Sequence, residues 1–242
     1  MRIAILSDIH ANVHALESVL KDAEKQGVEY LLCLGDIVGY GAFPGECIQL
    51  VRKNCSRAVI GNHDIFAAGD TSLENFSEDA RISLEWTRVR LAEEERHYLK
   101  ALPYILEGDT TTYVHASLHN TKQWEYLDYA PTLRKHFEIQ ETRVCFVGHT
   151  HLPAIFESEE LRSAELSWNS PLALPRDVKV VVNAGSVGQP RDLDPRACYV
   201  IYDEAQSIVT YRRVRYEIER ARNGILAIKM PRTLADRLTE GV

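Results

Sequence analysis

The order of apolar runs predicts an α/β protein: a mostly parallel sheet covered by helices, with a second, more antiparallel sheet packed on it. Three observations carry this expectation. The N-terminal part alternates short apolar runs with amphipathic segments, which is the pattern of βαβ units. From about residue 153 the texture changes to strand-like runs with little helix between them. No repeat, low-complexity tract or long Gly/Ser/Pro linker interrupts the 242 residues, so 1–242 reads as one domain with a core of its own.

The elements follow in order. "RIAILSD" reads as a buried strand. The helical "NVHALESVLKDAEKQ" comes next, with Val13, Leu16, Val19 and Leu20 at helical spacing. Asn12 is its expected N-cap and Gly27 its stop. "YLLCLGD" is a second strand, "PGECIQLVRKN" a helix with Pro in its first turn, and "RAVIGNHD" a third strand. Residues 77–101 are charged and helical, and are expected to form a two-helix insertion over one end of the sheet. "TTTYVHAS" and "VCFVGHT" are strand-like again, as are "AIFES", "KVVVNAGSV", "ACYVIYD" and "SIVTYRRV". "EIERARNGILAIKM" and "RTLADRLTE" close the chain as short helices.

The formal net charge of −7 argues against general affinity for nucleic acid or an anionic membrane. A phosphate-bearing substrate would need positive charge supplied locally. The five cysteines, Cys33, Cys47, Cys55, Cys145 and Cys198, show no CxxC spacing and fit a reducing, cytoplasmic setting. No stretch approaches the apolar length of a membrane span, and "MRIAILSD" begins as a strand rather than a signal segment.

Chemistry collects where the apolar runs end. Asp8 and His10 follow "IAIL", Asp36 follows "LLCL", and Asn62, His63 and Asp64 follow "AVI". His115 follows "TTYV", and His149 and His151 follow "CFV". Ligand-type residues thus end five successive strands, the edge of an open α/β sheet where ligands bind. Each alone reads as a turn, cap or packing residue; all of them together do not. Imidazole and carboxylate donors without thiolates suit Zn, Fe or Mn. Seven donors (Asp8, His10, Asp36, Asn62, His115, His149 and His151) exceed one ion with an open position. They suit two ions about 3.5–4 Å apart sharing a carboxylate. On an extended segment His149 and His151 would point the same way, roughly 6.5–7 Å apart, one to each ion, with Gly148 allowing close backbone approach.

These residues, in this order, resemble the calcineurin-like metallophosphoesterase superfamily, whose signature runs D-x-H, G-D, G-N-H-D/E, a lone His after a strand, and G-H-x-H. Here it reads "DIH", "GD", "GNHD", "VHAS" and "GHTH", with "NAGSVGQPR" at 183–191 as a further family-like element. The resemblance implies a four-layer α/β/β/α sandwich, two mixed sheets flanked by helices. It implies two divalent or trivalent ions. One is held by Asp8, His10, Asp36 and His151, the other by Asp36, Asn62, His115 and His149, with Asp36 bridging. A metal-bridging hydroxide attacks the phosphoester. His63 acts at the leaving-group oxygen, and Asp64 either orients His63 and favours its protonated form or closes the turn.

Protein phosphatases of the superfamily carry G-D-x-V-D-R-G, whereas this chain has "GDIVGYG", with Gly39 and Tyr40 where Asp and Arg would stand. That departure counts against a protein substrate. Arg191 is the candidate cation for the substrate phosphate; its alternative is a loop salt bridge with Asp192 or Asp194. Tyr40 either borders the substrate or packs on the first loop. The phrasing, with "WTRVRL" in the insertion, looks like small bacterial and archaeal phosphoesterases and implies a phosphodiesterase acting on a small-molecule or nucleotide substrate. A diadenosine polyphosphate hydrolase, a phosphomonoesterase or protein phosphatase, and a non-catalytic metal-binding scaffold are the alternatives. Trp86, Trp124 and Tyr126 are expected in the core rather than as a base-stacking surface, and His14 and His119 in surface or packing roles.

Overall fold

The computed structural model describes residues 1–161 and 166–242. In chain order the elements are β1 (Arg2–Leu6), α1 (Val13–Lys25), β2 (Tyr30–Cys33), α2 (Pro44–Asn54), β3 (Arg57–Ala58), α3 (Asn62–Ala68), α4 (Glu78–Arg90) and α5 (Glu93–Ala101). There follow β4 (Ile105–Glu107), β5 (Thr111–Val114), α6 (Ala130–Ile139), β6 (Val144–Val147), β7 (Ala154–Glu157), β8 (Pro171–Ala173) and β9 (Val180–Asn183). β10 (Ala197–Asp203), β11 (Ile208–Val214), α7 (Ile218–Ala227) and α8 (Arg232–Glu240) complete the chain.

Two mixed sheets result, with orders β3-β2-β1-β10-β11-β8 and β4-β5-β6-β9-β7. In the first, β1, β2 and β3 run parallel, while β10 pairs antiparallel with both β1 and β11. In the second, β5, β6 and β9 run parallel, and β4 and β7 are antiparallel edges. The late strands therefore do not form the second sheet by themselves, as the change in texture suggested. β10, β11 and β8 extend the N-terminal sheet, while β7 and β9 join β5 and β6. A run's own pattern records burial, not which sheet it joins.

Alternation along β1 shows how the layers assemble. Ile3 and Ile5 face inward with Leu32, Leu34, Tyr113, Val144, Phe146, Val180, Val182 and Val200, filling the space between the sheets. Ala4 and Leu6 face outward, under Leu16 and Val19 of α1 and Ile48 and Val51 of α2. On the other side Leu133 and Phe137 of α6 cover Cys145, Val147 and Val181. Each fully buried large aliphatic or aromatic side chain contributes about 1.5–3 kcal/mol. The layers read helix, sheet, sheet, helix.

Local signals hold the elements in place. The Asn12 side chain accepts from Ala15 N at 3.1 Å and caps α1, and Gly27, with φ of 65°, ends it in the left-handed region. α4 and α5 occupy the expected insertion. α7 and α8 pack as a hairpin against Tyr40 and Ala80 through Ala221, Ile225, Leu234 and Leu238. No helix among the described residues is long and apolar enough to cross a membrane.

Candidate metal centre and cleft

Parallel strands from both sheets end at one place. Asp8 and His10 lie beyond β1, Asp36 beyond β2 and Asn62 at the first turn of α3; His115 lies beyond β5, and His149 and His151 beyond β6. The strand ends thus come from two facing sheets rather than one. Their loops are stitched together by the segment after β9. Val187 N and Gly188 N donate to Ser7 O and Asp8 O at 2.9 and 3.0 Å, and Ser186 Oγ to Asp8 O at 2.8 Å. Asn183 Nδ2 donates to Gly148 O at 2.8 Å. Residues 183–188 of the family-like "NAGSVGQPR" brace the neighbouring loops.

The backbone here is strained. Asp8, His10, Asp36, His149 and His151 have φ of 53°, 48°, 51°, 66° and 62°, in the left-handed region that costs a non-Gly residue on the order of 1–2 kcal/mol. The segment carrying His149 and His151 is consequently not extended; the turn sends the two rings to different neighbours. Gly148 is required by packing, since a Cβ there would lie 2.5 Å from Asp8 Oδ2 and closer still to Ser7 Oγ.

Each carboxylate spends one oxygen on the backbone and turns the other to the centre. Asp8 Oδ2 accepts from His149 N at 2.9 Å, and Asp36 Oδ1 from His63 N at 2.8 Å. The imidazoles are fixed likewise. Nδ1 of His10, His115 and His151 bonds the carbonyls of Val38, Leu34 and Gln189 at 3.1, 2.8 and 2.6 Å, leaving each Nε2 to face inward. Ligand atoms of Asp8, His10 and His151 lie within 4.8 Å of one another, as do those of Asp36, His115 and His149, and those of His10, Asp36 and His63. His10 Nε2 and His151 Nε2 face each other at 3.0 Å, and His115 Nε2 stands 3.3 Å from Asp36 Oδ2.

The site has spare bonding capacity with no protein partner. Asp8 Oδ1, Asn62 Oδ1 and His115 Nε2 are buried without a hydrogen bond among the described residues. Burial alone would raise the Asp8 carboxyl, but His151 and His115 hold it below the ordinary value. Burial works against a charged His115, yet Asp36 and Asp8 keep it up at about 9, while burial and the charge of His115 push His149 down to about 3. Two buried carboxylates among converging lone pairs form a donor set that suits a dinuclear metal centre.

His63 lies beside the centre, with its ring centroid 4.5 Å from Tyr40 and 4.9 Å from His10. Its Nδ1 has no hydrogen-bond partner among the described residues, and a Cβ at Gly39 would collide with it. Burial pushes the His63 imidazole down to about 4, against the pull of Asp36. Asp64 does not bond this ring. Its Oδ1 accepts from Ile37 N and Val38 N at 2.8 and 3.1 Å, and its Oδ2 from Gly61 N at 3.1 Å. Burial and nearby Asp36 push the Asp64 carboxyl up to about 7. With backbone donors from Ile37, Val38 and Gly61, the Asp64 carboxylate has the geometry of the turn-closing alternative.

A cleft of about 570 Å³ opens over the centre, lined by Asp36, Asn62, His63, His149 and His151 on its floor. Tyr40, Trp124, Tyr126, Lys122, Arg191 and Arg237 form its walls. Tyr126 is 47% exposed and stacks on His149 at 4.3 Å, and Trp124 stacks on Tyr104; neither is a core residue as composition suggested. Trp86 packs under the α7–α8 hairpin, His14 against Phe43, and His119 pairs with Glu125. The alternative salt bridges of Arg191 do not form: Asp192 pairs with Arg213 and Asp194 with Arg196. Arg237 escaped the sequence reading because nothing in "RTLADRLTE" signals that one turn of a C-terminal helix faces the centre.

The calcineurin-like phosphoesterase superfamily domain matches residues 1–207. An uncharacterized protein of Methanocaldococcus jannaschii is 38% identical over 99% of this chain and 98% of its own length. The crystal structure of a metallophosphoesterase from Sphaerobacter thermophilus is 39% identical and superposes with a TM-score of 0.91 over 100% of this chain and 99% of that one. A hypothetical protein from Pyrococcus horikoshii OT3 shares the fold, with a TM-score of 0.79 at 21% identity over 100% and 98% of the two chains.

Proposed function

The chain belongs to the calcineurin-like phosphoesterase superfamily, and from that premise we propose that it hydrolyses a phosphodiester of a small-molecule or nucleotide substrate in this cleft. The observation that carries the reading is the buried donor set with lone pairs unspent among the described residues, beside His63 in a cleft that Arg191 also lines. Asp8, His10, Asp36 and His151 would hold one ion, and Asp36, Asn62, His115 and His149 the other; the donors accept Mn, Fe or Zn. When bound, two such ions supply positive charge that the acidic chain lacks and acidify bound water.

The chain's own residues do the rest. Carbonyl bonds to Nδ1 fix the tautomers of His10, His115 and His151 before anything binds, so little reorganisation accompanies the reaction. In this reading His63 would hydrogen-bond the leaving-group oxygen; its Nδ1, without a partner among the described residues, lies over Gly39. Arg191, whose Nη2 donates to Gln189 Oε1 at 3.0 Å and which forms no salt bridge among the described residues, would meet a phosphate oxygen. The side chain that would distinguish a protein phosphatase at position 39 does not fit under His63, which supports a diester over a phosphoprotein. Residues 1–242 act as one catalytic domain in this reading, and five free cysteines fit a reducing cytoplasm.

The test compares bis(p-nitrophenyl) phosphate with p-nitrophenyl phosphate on protein loaded with manganese, iron or zinc. The diester is expected to turn over faster, and His63→Ala or Asn62→Ala to lower kcat by about 10²-fold or more with the fold intact. Undiminished turnover in both variants defeats the mechanism. Inactivity with every metal and ester supports the scaffold reading instead.

A further inference from the structure

The cleft over the metal centre holds about 570 Å³, far more than one phosphate group fills and within the roughly 300–1,000 Å³ of small-molecule sites. Its two flanks differ. The His63 ring packs on Tyr40 and Phe76, with centroids 4.5 and 5.7 Å away. The His149 ring belongs to a separate group, with Tyr126 at 4.3 Å and His115 at 5.1 Å. Tyr126 stacks on His149 with 25° between the planes, so one face of the phenol is covered. Yet the residue is 47% exposed and lines the cleft, which leaves its other face open.

The segment that carries Tyr126 is held on both sides. Before it, His119 Nδ1 and Glu125 Oε2 bond at 2.9 Å, and Gln123 N donates to Asn120 O at 2.7 Å. After it, Leu127 is buried with Val114, Leu133 and Val147. Trp124, in the same wall, stacks on Tyr104 at 5.8 Å, and Lys122 Nζ lies 5.0 Å from the centre of the Tyr104 ring. A ring fixed in advance loses little freedom when another ring stacks on it. Lys122 and Gln123 line the wall as well, so an ammonium and an amide stand near the open face. A flat aromatic surface with such groups beside it suits a planar heteroaromatic that carries ring nitrogens and exocyclic polar atoms. An alkyl chain would leave those polar groups unused.

We propose that Tyr126 is the platform for a nucleobase, and that the nucleoside bearing this base is the substituent kept on phosphorus when the diester is hydrolysed. The proposal rests on the phosphoesterase reading above and names the substrate class of that site. In that reading His63 acts at the leaving-group oxygen, so the leaving group departs on the flank of Tyr40 and Phe76. The flank of His149 and Tyr126 then receives the other substituent. Hydrolysis joins a water oxygen to phosphorus and breaks the bond to the leaving group. One proton of the water stays on the new hydroxyl and the other goes to the leaving group, so the retained product is a nucleoside monophosphate. Base, phenol and imidazole form a stack of three rings.

The p-nitrophenyl esters of 2′-deoxyadenosine 5′-phosphate and of 1,2-dideoxyribose 5-phosphate share the leaving group and the reacting bond, and differ only in the base. On manganese-loaded protein the base-bearing ester is expected to have a kcat/KM about tenfold higher, through a lower KM. Tyr126→Leu should bring that ratio close to one, whereas Tyr126→Phe and Tyr126→Trp keep it. Any general loss from disturbing His149 affects both esters and cancels from the ratio. A ratio near one in the wild type, or a Tyr126→Leu variant that slows both esters equally, overturns the proposal. Calorimetry of AMP and ribose 5-phosphate binding supplies a readout independent of turnover. If neither ester is hydrolysed but AMP binds about tenfold more tightly than ribose 5-phosphate, and Tyr126→Leu abolishes the difference, the phosphoesterase reading fails and the platform stands. If neither ester is hydrolysed and AMP binds no more tightly than ribose 5-phosphate, or its advantage survives in Tyr126→Leu, the platform is removed as well.

Discussion

Replacing Asp64 by Asn separates a turn-closing carboxylate from a catalytic one. The carboxylate accepts from the backbone N–H groups of Ile37, Val38 and Gly61, and all of these residues are fully or almost fully buried. In Asp64→Asn the amide oxygen keeps the bonds to Ile37 and Val38, but the amide nitrogen faces Gly61 N–H, donor against donor. One buried donor is left unsatisfied and the charge assistance of the other two is lost, at a cost of about 2 kcal/mol. For a chain of this size that corresponds to a melting temperature roughly 4–8 °C lower. The assay is thermal melting by circular dichroism alongside the pH dependence of kcat. A melting temperature within about 1 °C of wild type, together with a displaced pH profile, would refute the reasoning and return Asp64 to a partnership with His63. A lower melting temperature with an unmoved pH profile supports it.

Gly148→Ala should overpack the loop between β6 and His149, pushing Asp8 Oδ2 off His149 N at a cost of about 1–3 kcal/mol. Metal affinity is expected to fall by tenfold or more while the chain still folds, measured as metal retained after gel filtration. Stability should also fall in acid because of His136, whose Nδ1 accepts from Leu118 N at 3.1 Å and whose imidazole burial pushes down to about 3. This contribution is complete above about pH 6.5, where the unfolded ring is also neutral, and is lost at about 1.4 kcal/mol per unit as the pH falls toward 3. Urea unfolding at about pH 7 and pH 5 should show the loss shrinking by about 2 kcal/mol in His136→Gln; an identical loss in both proteins contradicts it.

Much of this was legible in the sequence for physical reasons. The caps of α1, the Pro-started α2 and the strand-end positions of the seven donors depend on local chemistry, and local chemistry is written residue by residue. The partition of strands between sheets is different, because β9 and β10 are similar apolar runs and yet join different sheets. Partner choice is settled by long-range packing that no short window contains. The same limit applies within the site. The spacing of His149 and His151 suggested separate neighbours, but the left-handed backbone at both residues, not an extended strand, delivers them. Of the three donors to Asp64, two come from the loop after β2 and one from its own turn. Arg237 reaches the cleft only because α7 and α8 fold back over Tyr40 and Ala80.

The most direct test of the two-ion centre is an anomalous-diffraction crystal structure of the manganese-loaded protein. Two peaks per chain are expected, about 3.5–4 Å apart. One should lie within bonding distance of Asp8, His10 and His151, the other of Asn62, His115 and His149, with Asp36 between them. A single ion at saturating metal, or peaks bound by other residues, would contradict the account.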